Sequence, residues 1–356
     1  MKTHAIIPLF IPHLGCPHAC AFCNQQVITA RQHPPTIQQV EETIETWLST
    51  LEHRPGIQQI DLAFYGGSFT GIPAEQQEAY LSVAKDYKAA GRIREIHLST
   101  RPDCIDEATL DRLAHYTVDA IELGAQSFDD AVLRETQRGH TAAQTRHAAA
   151  LIHQRGITLG IQLMVGLPGE TRESCIYSAE ETLALGGKLG RIYPLVILSG
   201  TPLASWYRAG AFQPISQEEA VLRAVSIYRR WASGGMQILR VGLKSTDLMA
   251  PQDSESSAIL GGAYHPAFRQ LVESAIARED MEMEISEFLA KMPPEFPSNH
   301  GNSIVISAHS SWISNLSGHQ GTNRKYFLAK YPQLQMIFQS DPTLPRGKIT
   351  LSKKEY

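Results

Sequence analysis

The sequence contains no uncharged apolar run near the roughly 20 residues that a membrane-spanning helix needs. It also lacks a dominant charge, because 32 basic and 36 acidic side chains leave a formal net charge of -4. Such a chain does not attract polyanions over its whole surface, so any contact with nucleic acid must be local. Charged residues make up 19% and hydrophobic residues 43%, which excludes disorder over most of the 356 residues. The composition predicts one large α/β domain with an appendage, or two ordinary domains.

Cysteine is scarce and odd in number, since the chain has only five. The string Leu14-Gly15-Cys16 resembles a lipoprotein cleavage box, but Pro8 and Pro12 interrupt the apolar stretch before it. We therefore expect no export, no disulfide framework and a cytoplasmic protein with reduced thiols.

Short apolar runs alternate with amphipathic segments from residue 5 to about residue 243. The runs are Ala5 to Ile11, Ile57 to Tyr65, Ile93 to Leu98, Val118 to Leu123, Ile157 to Val165 and Leu189 to Leu198. Six strand-then-helix units predict a parallel sheet, either open and doubly wound or curved into a full or partial barrel. In each case ligands bind beyond the carboxyl ends of the strands, where glycines, small polar residues and cysteines collect in this sequence.

Three thiols follow the first predicted strand in the spacing Cys16-x3-Cys20-x2-Cys23. Thiolates favour zinc or an iron–sulfur cluster. Structural zinc needs a fourth ligand, for which the nearby candidates are His13, His18 and His33. A 4Fe–4S cluster held by three cysteines instead leaves one iron open to another ligand. The spacing alone leaves both sites open, and the isolated Cys104 and Cys175 are expected to be buried as small hydrophobes.

An aromatic residue, Phe22, stands directly before the last cysteine of this loop. The resulting C-x3-C-x-aromatic-C string resembles the signature of radical S-adenosylmethionine (SAM) enzymes. The resemblance implies that Cys16, Cys20 and Cys23 hold a 4Fe–4S cluster whose open iron binds SAM. It also implies that one electron cleaves SAM to a 5′-deoxyadenosyl radical, which abstracts hydrogen from the substrate, and that the donor is of flavodoxin or ferredoxin type.

Further strings at the later strand ends resemble two branches of that superfamily, the Elongator catalytic subunits and the oxygen-independent coproporphyrinogen III oxidases. The cofactor-binding residues that the resemblance implies are Phe22, Gly66, Gly67, Ser68, Ser99, Gln126, Ser127, Arg138, Gln162, Gly166 and Leu167. The chain has Ser68 where many members of the family have Glu. It also has Ser99 where an acidic residue is common, and Gln162 where the oxidases have another polar ligand-binding residue. The departures at Ser99 and Gln162 weigh against an oxidase-type site.

The expected fold is α/β, a partial (βα)6 TIM-like barrel with a small α+β C-terminal module. We assign the barrel to residues 1–243, a helical extension and linker to 244–297, and the basic module to 298–356. From Gly301 to Tyr356 the chain has seven basic and two acidic side chains. The Gly318-x-x-Gly321 turn between two predicted helices resembles a KH module, whose loop clamps a nucleic-acid backbone.

The favoured function is radical SAM chemistry in tRNA or other RNA modification, with RNA bound through residues 301–356. One alternative is the anaerobic oxidation or rearrangement of a porphyrin-like or other small metabolite. A non-enzymatic alternative is a metal-stabilised RNA-binding protein. Tyr65, His140 and His319 are acid–base candidates, but side chains of these types more often satisfy local hydrogen bonds, so no catalytic residue is assigned. Nothing in the sequence indicates an oligomeric state.

Overall fold

The computed structural model describes residues 3–12, 16–24, 27–28, 33–243, 257–293, 296 and 303–354. The chain forms two compact units, Met1–Pro266 and Ala267–Tyr356. A parallel half-barrel of seven strands forms the first unit, in the order β1-β2-β3-β4-β5-β6-β8. The seven strands of this sheet are β1 (His4–Ile11), β2 (Gln59–Gly66), β3 (Ile96–Thr100), β4 (Ala120–Gln126), β5 (Thr158–Val165), β6 (Leu189–Pro194) and β8 (Gln237–Val241). The short strand β7 (Val196–Leu198) lies outside it.

Helices connect the strands, as the alternating pattern predicts. They are α1 (Ile37–Leu51), α2 (Ala74–Ala89), α3 (Glu107–His115), α4 (Asp130–Glu135), α5 (Ala142–Gln154), α6 (Arg172–Ala184), α7 (Pro202–Arg208) and α8 (Gln217–Ser233). Helix α1 illustrates why they form where they do. The Thr36 side chain accepts a hydrogen bond from the Gln39 backbone N–H, and the Gln39 side chain accepts one from the Thr36 N–H. This capping box satisfies two backbone donors that the first turn leaves free.

The first strand explains how the half-barrel separates its two faces. Ala5, Ile7, Leu9 and Ile11 are buried and alternate with less buried residues. Since side chains alternate across a strand, one face of β1 packs into the core and the other faces the inside of the half-barrel.

The predicted α/β partial barrel is confirmed, with two differences in detail. The run Leu189–Leu198 is not one strand, because the chain leaves the parallel sheet after Pro194. Strand β7 instead pairs antiparallel with β9 (Ile259–Gly262). Strand β8, which the apolar runs did not include, adds a seventh parallel strand beside β6. The polar residues Gln237 and Arg240 hide its strand character in the sequence.

The second unit is a small α+β module. It consists of α9 (Phe268–Ala290), β10 (Ser303–Ala308), α10 (Ile313–Ser317), α11 (Thr322–Lys330), β11 (Gln335–Ser340) and β12 (Ile349–Lys353). Strand β10 is central, parallel to β11 and antiparallel to β12. Parts of the predicted helical extension and linker, residues 244–256, 294–295 and 297, lie outside the described residues. The three-part domain division therefore stays a prediction.

A buried carboxylate holds this module together. Glu273 of α9 is 4% exposed and accepts hydrogen bonds from Arg346 at 2.8 and 2.9 Å. Arg269 and Asn315 also donate to it, at 2.9 and 3.0 Å. A buried charge with this many donors ties α9 to α10 and to the segment before β12.

Among the described residues, no helix combines the length and the apolar character that crossing a membrane requires.

Candidate functional site

A cavity of about 470 Å³ lies on the inner face of the half-barrel and reaches the carboxyl ends of its strands. It brings together all three predicted metal ligands and eight of the eleven predicted cofactor residues. These are Cys16, Cys20, Cys23, Phe22, Gly66, Gly67, Ser68, Ser99, Gln126, Arg138 and Gln162. Residues up to 146 positions apart in sequence thus share one cavity wall, as the rule for parallel strand ends predicts.

Three predicted cofactor residues do not line this cavity. Ser127 is buried, and its hydroxyl accepts a hydrogen bond from the Asp129 backbone N–H at 3.1 Å. Gly166 has φ +87° and donates its N–H to the Glu170 carboxylate at 2.5 Å. Leu167 is buried in an apolar cluster against which Phe22 packs. Ser127 and Gly166 therefore serve local turns and Leu167 the packing behind Phe22, and their cofactor role stays a prediction.

Hydrogen bonds to later parts of the chain hold the cysteine loop in place. The N–H of Ala21 donates to the carbonyl oxygen of Thr136 at 3.0 Å, and its own carbonyl accepts from the Leu203 N–H at 2.9 Å. The Asn24 side chain donates to the carbonyl oxygen of Ser199 at 2.9 Å. These contacts join the loop to three later segments of the unit, so the thiols project from a fixed backbone.

Two arginines lie against the buried thiol of Cys20. Arg138 Nη1 is 3.1 Å and Arg101 Nη1 is 3.7 Å from its Sγ atom. Asp103 accepts two hydrogen bonds from the Arg101 guanidinium, at 2.8 and 2.9 Å. The pair places two positive charges beside the loop, which suits an anionic cluster.

Opposing effects act on the pKa of the Cys16 thiol. Burial raises its pKa, while the backbone of Ser68 and the charges of Arg138 and Arg101 oppose the rise. Arg101 and Arg138 therefore act on two of the three thiols at once. Metal binding would complete the deprotonation, since a coordinating thiol is bound as thiolate.

The turn after β2 brings backbone close to the cysteine-bearing end of β1. Gly66 has φ +116°, and a Cβ atom there would lie 2.3 Å from the carbonyl oxygen of Ile11. The same oxygen accepts a hydrogen bond from the Gly67 N–H at 2.9 Å. Only glycine fits this position, which leaves an open backbone cradle in the cavity wall. The Ser68 hydroxyl, by contrast, accepts from the Arg101 N–H at 3.0 Å and is used within the wall.

The end of β4 presents two polar side chains to the cavity. Gln126 adopts φ +68°, unusual for a non-glycine residue, and accepts a hydrogen bond from Gln162 Nε2 at 3.0 Å. Arg138 donates from Nη2 to the carbonyl oxygen of Gly124 at 2.5 Å. Its Nε atom is buried and has no partner among the described residues. A buried donor without a partner indicates that a ligand or water completes the site.

Two members of a buried charged network at the cavity, Glu122 and Arg191, were missed at the sequence level, where only Tyr65 was named. Glu122 of β4 pairs with the Arg191 guanidinium of β6, and Tyr65 donates its hydroxyl hydrogen to Glu122 at 3.3 Å. Arg191 lies over the Tyr65 ring at 4.3 Å and donates to the Tyr193 hydroxyl at 3.3 Å. Burial and the neighbouring Glu122 charge raise the pKa of Tyr65 well above its ordinary value. The available signal was a charged residue inside each of two apolar runs, Val118–Leu123 and Leu189–Leu198.

These residues fit a 4Fe–4S cluster with SAM. The donor set consists of three thiols in one loop, Gly66 provides an open backbone cradle, and Arg138 presents an unused buried donor. His18, a candidate fourth zinc ligand, lines the same cavity, with Nε2 4.0 Å from Asp103 Oδ2. His13, another candidate, lies outside the described residues.

Comparison with protein-family models gives two matches that cover most of the first unit. Residues 10–182 match the model described as the radical SAM superfamily. Residues 188–278 match the model described as the radical SAM C-terminal domain. The first match contains all the predicted metal ligands and cofactor residues.

Individual relatives match over 59% to 64% of this chain. Protein YhcC of Escherichia coli K12 is 30% identical over 216 residues, which are 59% of this chain and 67% of that protein. The tRNA uridine(34) acetyltransferase of Methanocaldococcus infernus is 25% identical over 268 residues, 64% of this chain and 50% of that protein. A solved structure of M. infernus Elp3 with an N-terminal deletion has a TM-score of 0.60 at 20% identity and covers 79% of this chain and 64% of that one. The chain therefore spans about half to two thirds of the length of these relatives.

Proposed function

The chain belongs to the radical SAM superfamily, whose enzymes use a 4Fe–4S cluster and SAM, and we propose that it modifies RNA, with tRNA as the favoured substrate. Cys16, Cys20 and Cys23 hold the cluster in this proposal. When bound, the cluster supplies the electron that cleaves SAM and yields a 5′-deoxyadenosyl radical for hydrogen abstraction. A flavodoxin- or ferredoxin-type protein of the cytoplasm is the proposed electron donor.

The observation that carries the proposal is the convergence of the cysteine loop, the Gly66 turn and the β4 end on one cavity. The Gly66–Gly67 backbone accommodates the methionine amino group. Arg138 offers its guanidinium to the carboxylate of SAM, through charge-assisted hydrogen bonds, which are the strong kind. Gln126 offers its amide to the ribose of SAM. The buried walls exclude water from a reactive carbon radical.

Two features favour RNA over a small metabolite. The relative matched over 268 residues is named for its action on uridine 34 of tRNA. In the second unit, Gly318 and Gly321 have φ +77° and +74° and form a turn between α10 and α11. Arg324 and Lys325 follow within the first turn of α11. Positive charge at such a turn suits a phosphate backbone.

The positive charge of the tail is partly neutralised inside its own unit. Lys330 pairs with Glu282 of α9 at 2.5 Å, and Arg346 pairs with Glu273 at 2.8 Å. The proposed RNA contact therefore depends on the turn and on the start of α11 rather than on the overall charge of residues 301–356.

Radical SAM activity is tested by anaerobic reconstitution with iron and sulfide, followed by dithionite and SAM. We expect the broad visible absorption of an iron–sulfur cluster and formation of 5′-deoxyadenosine. A protein that binds zinc, shows no such absorption and yields no 5′-deoxyadenosine would be the metal-stabilised RNA-binding alternative.

The substrate is tested with the same full-length protein and bulk tRNA. We expect tRNA to increase the formation of 5′-deoxyadenosine. The double variant His319→Asp/Gln320→Asp should bind tRNA with an affinity at least about tenfold lower, because its two added carboxylates repel phosphate. The control Gln339→Asp/Ser340→Asp adds the same charge at the exposed end of β11 and should keep its affinity. Stimulation by a porphyrinogen but not by tRNA would favour the small-metabolite alternative.

A further inference from the structure

Four metal-ligating side chains meet at the end of the half-barrel away from the cysteines. His4 is the first residue of β1, Asp61 is the third of β2, and His97 is the second of β3, directly preceded by Ile96 and Glu95. Since parallel strands align their amino ends, these side chains lie together at one edge of the sheet. The register agrees, because His4 is paired with Gln59 and Leu62 with Ile96.

The distances between these ligand atoms have the scale of a coordination shell. His97 Nε2 lies 3.0 Å from Glu95 Oε2 and 3.8 Å from Asp61 Oδ2, and His4 Nε2 lies 2.5 Å from Asp61 Oδ2. Ligand atoms of Asp61, Glu95 and His97 all lie within 4.8 Å of one another, and His4 joins this group through its contact with Asp61. Tetrahedral zinc with bonds of about 2.0–2.1 Å has ligand–ligand separations of about 3.3 Å. The observed separations lie on both sides of that value.

The charge of the cluster also calls for a cation. The Asp61 residue is 0% exposed, and besides the two histidines its carboxylate accepts hydrogen bonds from the neutral side chain of Gln59, at 3.0 and 3.1 Å. Buried carboxylates need a compensating positive charge. Two protonated histidines would supply it, and so would one divalent ion with neutral imidazoles. The ring of His97 is 2% exposed, and its Nε2 atom faces both the Glu95 and the Asp61 carboxylates, so this nitrogen is placed to share a cation with them.

We propose that Asp61, Glu95 and His97 bind one Zn²⁺ ion and that His4 holds the Asp61 carboxylate in place for it. One imidazole and two carboxylates suit zinc and leave its fourth position to water. Gln59 and His4 orient the Asp61 carboxylate, as outer-shell partners of metal ligands commonly do. The ion joins β2 to β3, and His4 connects the edge strand β1 to it through Asp61. The site is separate from the cysteine loop and does not depend on the proposed function.

The cysteine loop must be silenced in the test, because thiols also bind zinc. The variant Cys16→Ala/Cys20→Ala/Cys23→Ala is titrated with Zn²⁺ against a chromophoric chelator, and its metal content is measured after dialysis. We expect one equivalent of zinc and a higher unfolding temperature with zinc than without it. His4→Gln and Glu95→Gln, made in that background at partly exposed side chains, should each weaken zinc binding at least about tenfold.

The matched control is Glu107→Gln, which removes an exposed carboxylate paired with Arg155 and should leave zinc binding unchanged. A second measurement uses the reconstituted full chain, in which iron occupies the cysteine loop and zinc should add one further equivalent. Absence of bound zinc in both proteins, or binding that neither His4→Gln nor Glu95→Gln weakens, would overturn the proposal. In that case protons alone balance the charge of the cluster.

Discussion

The guanidinium of Arg101 donates a hydrogen bond of 2.6 Å to the carbonyl oxygen of Arg138. Arg101 follows strand β3, and Arg138 follows α4, so the contact joins two strand-end segments that are 37 residues apart. Both guanidinium groups also face Cys20 Sγ. One arginine thus positions the other against the proposed cluster ligand, and the predictions below begin from this arrangement.

Replacing a proposed cluster ligand should remove the metal centre. We expect Cys20→Ala to lose the iron, the sulfide and SAM cleavage after anaerobic reconstitution, because two thiolates cannot hold the cluster. The control Cys175→Ala changes a buried thiol outside the cavity, and it should keep the cluster and SAM cleavage while losing about 1 kcal/mol of stability. Iron and sulfide analysis checks both variants. A Cys20→Ala protein with a full cluster would refute the ligand assignment.

Removing the positive charge of Arg138 should weaken SAM binding. A hydrogen bond to a charged group contributes about 1.5–3 kcal/mol, so Arg138→Gln should lower the affinity about 10- to 100-fold. Arg92→Gln is the control, since Arg92 forms exposed ion pairs with Glu45 and Glu52. Anaerobic calorimetry on the reconstituted proteins measures the affinities. Equal SAM affinity of Arg138→Gln and the unsubstituted protein would contradict the assigned role.

The Gly66 turn should tolerate no side chain. Gly66→Ala combines a positive φ with a Cβ 2.3 Å from the Ile11 carbonyl oxygen, and it should lower the free energy of unfolding by about 3 kcal/mol. Gly91→Ala also has a positive φ, +70°, but meets nothing within 4 Å, and it should cost about 1 kcal/mol. Urea denaturation separates the two effects. Similar losses of unfolding free energy in both variants would show that the positive φ, rather than the close approach to Ile11, is the reason that position 66 requires glycine.

His140 should make the stability depend on pH in the acid range. Burial, reinforced by the charge of Arg138, lowers the pKa of His140 to about 3. An unfolded histidine takes up a proton below about pH 6.5, whereas the folded one does not until about pH 3. The contribution of neutral His140 to the free energy of unfolding is therefore fully present above about pH 6.5. It falls by about 1.4 kcal/mol per pH unit as the pH drops toward 3.

The variant His140→Gln tests this relationship. Free energies of unfolding of the apoprotein between pH 5 and about pH 7 should show a slope that is shallower by about one proton in the variant. An unchanged slope would place the acid sensitivity in other groups. The exposed His153→Gln, at the end of α5, is the control and should retain the original slope.

Most of the fold could be predicted from the sequence, because each strand and each helix has its own periodic pattern of hydrophobic residues. Val40, Ile44 and Leu48 recur on one face of α1, and Thr36 marks its beginning. Such signals are local, so the amphipathic segments between the apolar runs become helices, among them α3 (Glu107–His115) and α5 (Ala142–Gln154). Strand β8 was missed because its pairing with β6, rather than its own composition, makes it a strand.

By itself the sequence determined the cysteine loop, the glycine turn and the order of the strand ends, since each depends on residue type and spacing along the chain. The tertiary structure decided what lies opposite them. Arg101 and Arg138 meet at Cys20, Glu122 meets Arg191, and Asp61 meets the two histidines, His4 and His97, only when the strands align. The partner of a charged side chain in an apolar run cannot be predicted from the sequence alone. The free energy of burying the charge depends on a residue that is distant in sequence and that folding brings beside it.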